Sequence, residues 1–114
     1  MGGSGNATDP VIQSVSRRIK ILPSALDEIE EAATWYEARQ PALGAKFTRD
    51  VRVAINALPR NALIHRIRQR DLQVRWCYPR RFPYRIVYRL TEEVITIVAV
   101  LHASRSERHW RQRL

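Results

Sequence analysis

His102 and four arginines of the second half of the chain are the side chains best suited to chemistry on a phosphate. The arginines are Arg75, Arg81, Arg85 and Arg105. Metal-free cleavage of an RNA phosphodiester needs a base for the ribose 2′-hydroxyl, a cation beside the phosphorane and an acid for the leaving 5′-oxygen. A histidine exchanges protons near neutral pH, and guanidinium groups hold anions in bidentate contacts. These five residues are therefore the candidate catalytic set for a metal-independent endoribonuclease.

The same residues also fit roles without catalysis. A histidine at the end of a strand is commonly solvated or hydrogen-bonded locally, and His65 and His109 are weaker candidates than His102. Arginines on an open sheet can bind an acidic protein segment instead of a nucleic acid. Cleavage and plain binding both remain open on the residues alone.

Positive charge is concentrated in the second half of the chain. The net charge is +9, and 18 of the 20 basic residues are arginines. Residues 1–59 hold seven basic and seven acidic side chains, whereas residues 60–114 hold thirteen and four. This distribution favours a partner that carries phosphates or carboxylates, since arginine binds both in planar, bidentate contacts.

Length and composition predict one globular domain. The chain has 114 residues, of which 45% are hydrophobic, and this is typical of a single core. We expect residues 1–15, which begin MGGSG, to be a tag, linker or disordered leader, and residues 16–114 to form the domain. Cys77 is the single cysteine, so no intramolecular disulfide can form, which favours a reducing, cytoplasmic location. The pattern predicts no membrane span, no metal site and no cofactor.

Apolar periodicity predicts a strand followed by a helical hairpin. Alternation from Ser16 predicts a first strand that ends at Pro23. Ser24 and Asp27 resemble a capping box and predict a helix that ends near Arg39. A second helix is predicted from the helical spacing of Leu43, Phe47, Val51, Ala54, Ile55 and Leu58, with Pro59 closing it.

The rest of the chain predicts a basic connection and three strands. Residues 60–71 show no regular period, and strands are predicted at 72–78, 84–90 and 94–102. The residues predicted to face the helices are Val74, Trp76, Tyr84, Ile86, Tyr88, Leu90, Ile95, Ile97, Ala99 and Leu101. Arg75, Arg85, Arg89 and His102 would then share one open face, unless a bulge reverses a strand.

The last eleven residues predict a short basic helix or arm. Trp110 is expected to dock this terminus onto the core rather than to stack on a nucleic-acid base. The surface predicted to bind a target or an acidic partner consists of Arg85, Arg89, Arg105, Arg108, Trp110 and Arg111.

Four short motifs follow one another along the predicted elements. They are Trp35-Tyr36-Glu37, Leu43-Gly44 with Phe47, Arg81-Phe82-Pro83-Tyr84 with Ile86 and Tyr88, and Val98-Ala99-Val100 followed by His102, Arg105 and Trp110. With the basic second half, this ordered set resembles the RelE/ParE superfamily of bacterial toxins over residues 19–113. The resemblance implies an α+β fold of order β-α-α-β-β-β(-α), with a helical hairpin on one face of a small, mainly antiparallel sheet.

The resemblance also implies a function. Members of this superfamily are toxins of type II toxin–antitoxin systems, often called plasmid stabilisation proteins, and are neutralised by an antitoxin that we expect to be acidic. ParE-like members inhibit DNA gyrase, whereas RelE-like members cut mRNA on the ribosome. The Phe82-Pro83-Tyr84 strand is nearer the ParE group, and Ala103 stands where some endonuclease members have a tyrosine after the histidine. A growth-inhibiting gyrase binder, a ribosome-dependent endonuclease and a non-toxic binding module remain the three hypotheses.

Overall fold

The first strand and the two long helices follow the apolar pattern of the sequence. In the computed structural model, which describes residues 17–114, strand β1 is Arg18–Ile21, helix α1 is Pro23–Arg39 and helix α2 is Leu43–Asn61. The predicted apolar stripes of both helices pack into one core, where Phe47 is fully buried. The expected leader, residues 1–15, lies outside the described residues.

The helix ends differ from the prediction. Helix α1 begins at Pro23, which needs no hydrogen-bond partner for its nitrogen, and no side chain caps it. The predicted capping box of Ser24 and Asp27 is therefore wrong. Helix α2 does not end at Pro59 but continues to Asn61, since the buried Leu58 keeps the last turn packed on the core.

Glu37 joins the two helices. Its carboxylate accepts hydrogen bonds from the backbone N–H of Ala42 at 2.8 Å and of Gly44 at 2.9 Å, which satisfies donors that a helix start leaves without partners. A Cβ on Gly44 would lie 2.4 Å from the carbonyl oxygen of Ala33, so only glycine permits this approach of the helices. The Trp-Tyr-Glu and Leu-Gly motifs therefore fix the geometry of the hairpin.

Four strands and two short helical turns complete the described chain. They are the 3₁₀ turn Ala62–Ile64, β2 Ile67–Gln69, β3 Val74–Cys77, β4 Tyr84–Leu90, β5 Val94–His102 and α3 Arg108–Arg111. The sheet order is β1-β5-β4-β3-β2, and only the β1–β5 pair is parallel. The predicted irregular connection therefore contains a strand, β2, which is too short to show an alternating pattern.

The helix-facing side of β4 is as predicted. Ile86, Tyr88 and Leu90 lie in the core beneath the helices, and Tyr84 packs against it. Val87, between them, is fully buried in a second apolar cluster on the opposite side of the sheet. Both sides of the sheet are therefore covered.

The faces of β3 are opposite to the prediction. Arg75 pairs with Tyr88, and Cys77 pairs with Ile86, so both point toward the helices. Val74 and Trp76 belong to the cluster on the far face. The prediction failed because all four residues of β3 are buried, so polarity carries no signal for the face. Burial also raises the pKa of the Cys77 thiol to about 12.

A β-bulge reverses the second half of β5. Val87 pairs with Ala99 and Tyr88 with Ile97, which leaves Val98 as an extra residue. Beyond this bulge Ala99 and Leu101 pack on the far face, whereas Val100 packs beneath the helices. The predicted faces of Ala99, Leu101 and His102 are therefore wrong.

The C-terminal tail, residues 103–114, covers the far face of the sheet. Trp110 is 2% exposed and packs edge to face on Trp76, with 6.2 Å between ring centroids. Leu114 packs against the same cluster. The predicted docking of Trp110 is confirmed, and the predicted open face is wrong. None of the helices in residues 17–114 is long and apolar enough to cross a membrane.

Candidate functional site

The five predicted catalytic residues do not form one site. Arg75 is 4% exposed beneath the helices, and its Nε donates a hydrogen bond to the His65 carbonyl at 3.0 Å. Arg81 extends toward Asp50 on α2, 3.9 Å away. Arg85 lies on the far face, with its guanidinium 4.6 Å from the Trp76 ring centroid.

The other two, His102 and Arg105, line one concave region. This helix–tail groove lies between α1, the end of β5 and the tail, and its volume is about 560 Å³. One wall carries carboxylates and the opposite wall carries basic groups above an aromatic floor. The groups that define it are Glu28, Glu31, Trp35, Tyr36, Tyr84, His102, Ser104, Arg105 and His109.

Glu28 closes the edge of the sheet beside this groove. Its carboxylate accepts two hydrogen bonds from Arg113, at 3.0 and 2.8 Å, and a third from the Val100 N–H at 3.0 Å. Arg113 also donates to the Val98 carbonyl at 3.1 Å. We call this arrangement the Glu28–Arg113 clamp. The hydrogen bond to Glu28 raises the pKa of Arg113. The clamp also satisfies the Val98 carbonyl and the Val100 N–H, which lie beyond Ile97, the last residue of β5 that pairs with β1.

The two histidines of the groove are held in defined orientations. The Ser104 N–H donates to His102 Nδ1 at 3.1 Å, so the neutral His102 ring carries its proton on Nε2. Arg105 can only donate, and its Nη1 lies 3.2 Å from His109 Nε2. His109 Nδ1 lies 3.2 Å from the Ser106 carbonyl. His109 therefore accepts at Nε2 and donates at Nδ1.

Aromatic rings form the floor of the groove. The His102 and Tyr84 rings meet edge to face at 5.4 Å, and burial raises the pKa of Tyr84. Trp35 is 51% exposed, with the Arg39 guanidinium 4.0 Å from its ring centroid. This combination of π surface, donors and charges suits a segment that brings both carboxylates and apolar groups.

Sequence reasoning missed several residues of the groove. Glu31 and Trp35 follow Glu28 at steps of three and four residues, so one stripe of α1 carries all three. That spacing was a readable signal. Tyr84 was predicted to face the helices and His109 was only a weaker candidate, and their meeting in one groove depends on the path of the tail.

The predicted binding set is divided between the far face and the tail. Arg85 donates to the Arg105 carbonyl at 3.4 Å, and Arg89 lies beside Thr96 on the same face. Arg108 is exposed, whereas Arg111 forms an ion pair with Glu107 at 2.6 Å. The ring of Trp110 is buried and unavailable to a partner, since it anchors the tail. Within residues 17–114, no three side chains of His, Cys, Asp or Glu type gather as metal ligands.

Comparison with known proteins gives the family. The model described as "ParE toxin of type II toxin-antitoxin system, parDE" matches residues 19–107. A solved structure, the "Chromosomal ParDE TA system from P. aeruginosa", has a TM-score of 0.67 and 19% identity, and covers 78% of this chain and 98% of that chain. No curated protein matches the sequence. The solved structure supports the fold, and the family model spans most of the chain. This protein therefore belongs to the ParE toxin family of type II toxin–antitoxin systems.

Proposed function

We propose that this protein arrests growth by binding DNA gyrase and that an acidic antitoxin neutralises it. Membership of the ParE family supports the toxin role. The observation that favours binding over cleavage is the separation of the predicted catalytic groups. Arg75 is buried beneath the helices and Arg85 lies on the opposite side of the sheet from His102, so neither guanidinium lines the groove that holds that histidine.

Gyrase inhibition is tested directly with purified protein. We expect the wild-type toxin to arrest growth on induction and, at micromolar concentration, to block supercoiling of relaxed plasmid by gyrase. Unaffected supercoiling in the presence of growth arrest would contradict the gyrase proposal. Normal growth on induction would favour a non-toxic binding module.

The helix–tail groove is the proposed site for the antitoxin. Its aromatic floor and the Arg105 guanidinium, with Arg108 exposed on the same tail, suit an acidic, partly apolar segment that folds on contact. The double substitution Arg105→Glu and Arg108→Glu should weaken rescue by the antitoxin but leave growth arrest intact. Arg49→Glu with Arg52→Glu, two exposed charges of α2, is the matched control. If the antitoxin rescued growth equally with both variants, the antitoxin would bind another surface of the toxin.

Ribosome-dependent mRNA cleavage is the second candidate, because His102, Arg105 and His109 share the groove. His102 and His109 are the two imidazole groups of the groove, and imidazole is the side chain that most often serves as general acid or base. Primer extension on ribosome-bound message would show cuts that disappear in His102→Ala with Arg105→Ala. Absence of cuts with wild-type protein would exclude this candidate.

A further inference from the structure

The edge of the sheet formed by β2 carries an exposed aliphatic surface. Leu63, Ile64 and Ile67 are 62%, 76% and 41% exposed. They lie in the 3₁₀ turn and in β2, which is the outermost strand of the sheet on this side. Together with the arginines up to residue 70 they form what we call the 63–70 edge. Exposed aliphatic side chains on an unpaired edge strand favour association with another molecule.

Two buried side chains hold this edge in place from below. The Tyr88 hydroxyl donates to the Ala62 carbonyl at 2.6 Å, and Arg75 Nε donates to the His65 carbonyl at 3.0 Å. Burial of a guanidinium is costly without partners, and Nη1 of Arg75 is buried with no acceptor among the described residues. Within residues 17–114, the one hydrogen bond that the Arg75 side chain donates goes to the backbone of this edge. The surface is therefore pre-formed in the free protein.

Arginines surround the aliphatic centre. Arg66, Arg68 and Arg70 are exposed, and none of them pairs with a carboxylate of residues 17–114. The Arg68 guanidinium lies 4.3 Å from the Trp76 ring centroid, which limits its freedom. An apolar centre with an arginine rim is the composition of a protein–protein interface.

The charges and side chains of the 63–70 edge indicate which kind of molecule binds there. A second copy of this chain would bring Arg66, Arg68 and Arg70 against like charges. Single-stranded nucleic acid stacks on exposed aromatic rings, whereas residues 63–70 contain no Phe, Tyr or Trp. His65 is half-buried and meets the Tyr88 ring edge to face at 6.2 Å. The complementary occupant is a protein surface with aliphatic side chains surrounded by carboxylates.

We propose that the 63–70 edge is the surface by which this toxin docks on its protein target. The inference rests on the proposed function, since it assigns a surface to the target of the toxin. A pre-formed edge suits a folded target, because the interfaces of folded partners move little on binding. The helix–tail groove, by contrast, suits a segment that folds on contact.

The test compares two matched double variants. Ile64→Ser with Arg66→Glu removes an exposed aliphatic group of the edge and reverses a rim charge. Arg52→Glu with Val53→Ser makes the same changes on the exposed face of α2, where Val53 is 63% exposed. We expect the edge variant to need at least about tenfold more protein for half-inhibition of supercoiling and to lose growth arrest. The α2 variant should stay within about twofold of wild type, since it lies outside the docking surface.

The outcomes separate this proposal from the proposed function. Growth arrest by the edge variant equal to wild type would overturn the docking surface alone. Loss of antitoxin rescue with growth arrest retained would also overturn it, because the edge would then belong to the antitoxin. Growth arrest by the wild-type protein without inhibition of gyrase would overturn the proposal that gyrase is the target. Comparison of growth arrest between the edge variant and the wild type would then still test the docking surface. Absence of wild-type arrest would overturn both.

A second variant guards against misfolding. Ile64→Arg places a charge in the aliphatic centre at a side chain that is 76% exposed, so it should leave thermal unfolding unchanged while removing the most exposed aliphatic group of the edge. Growth arrest should be lost in this variant as well. Retained arrest with a wild-type unfolding curve would overturn the proposal.

Discussion

The two edges of the sheet differ in how far other residues cover them. At one edge β1 pairs with only the first half of β5, and the Glu28–Arg113 clamp satisfies the Val98 carbonyl and the Val100 N–H beyond it. At the other edge no element of residues 17–114 covers β2, and Ile64 remains 76% exposed. A closed edge resists unwanted pairing, whereas an open edge with aliphatic side chains invites a partner. The contacts at the β1 edge therefore stabilise the sheet, whereas the β2 edge offers a surface for a partner.

The largest effect should come from the core that both edges share. Phe47 is fully buried and meets Tyr84 at 5.0 Å and Phe82 at 5.1 Å between ring centroids. Phe47→Ala should lower the free energy of unfolding by about 3–5 kcal/mol, because it leaves a cavity between the helices and the sheet. Urea unfolding measures this, with the exposed Val53→Ala as control. A loss below about 1 kcal/mol would place Phe47 outside the core.

Breaking the clamp tests the closed edge. Glu28→Gln removes the negative charge that faces the largely buried Arg113 and should cost about 2 kcal/mol of unfolding free energy. Hydrogen exchange at the Val100 amide should also become faster. Glu31→Gln, on the same helix and without an ion pair among the described residues, is the control. Equal stability of the two variants would show that the clamp is not what closes this edge.

Removing the Tyr88 hydroxyl tests what holds the 63–70 edge in place. Tyr88→Phe deletes the hydroxyl that donates to the buried Ala62 carbonyl and should cost about 1–2 kcal/mol. Amide exchange across residues 63–69 should rise, while exchange in β5 stays near wild type. The exposed Tyr78→Phe is the control. Unchanged exchange at the edge would mean that other contacts hold it.

Acidification should loosen the open edge by a smaller amount. Burial, and secondarily the charge of Arg75, lowers the pKa of His65 from its ordinary value of 6.5. Below pH 6.5 the unfolded chain binds this proton more readily than the folded chain, so stability falls as pH drops through the folded pKa. The wild-type melting temperature should decrease between pH 7.5 and pH 5.5 more than that of His65→Gln. If the melting temperatures of the two proteins fell equally with pH, His65 would not be the cause of the loss of stability.

Agreement between sequence and structure depends on whether one side of an element faces water. The bounds of β4 and β5 and the helix-facing side of β4 were predictable, and so was the docking of Trp110. The faces of β3 were not, because a strand buried on both sides shows no alternation. Strand β2 was not predicted, because three residues are too few to show an alternating pattern. The approach of His109 to Tyr84 was not predictable, because it depends on the path of the tail.

The sequence alone determined the order of the elements other than β2, the helical hairpin, the basic second half and the resemblance to the ParE toxins, because each depends on local periodicity, spacing or composition. Only the tertiary structure decided which groups meet. One extra residue, Val98, moved His102 to the helix side of the sheet, and the pairing of β3 with β4 buried Arg75. Strand faces alternate residue by residue, so a single shift in register reassigns every side chain beyond it.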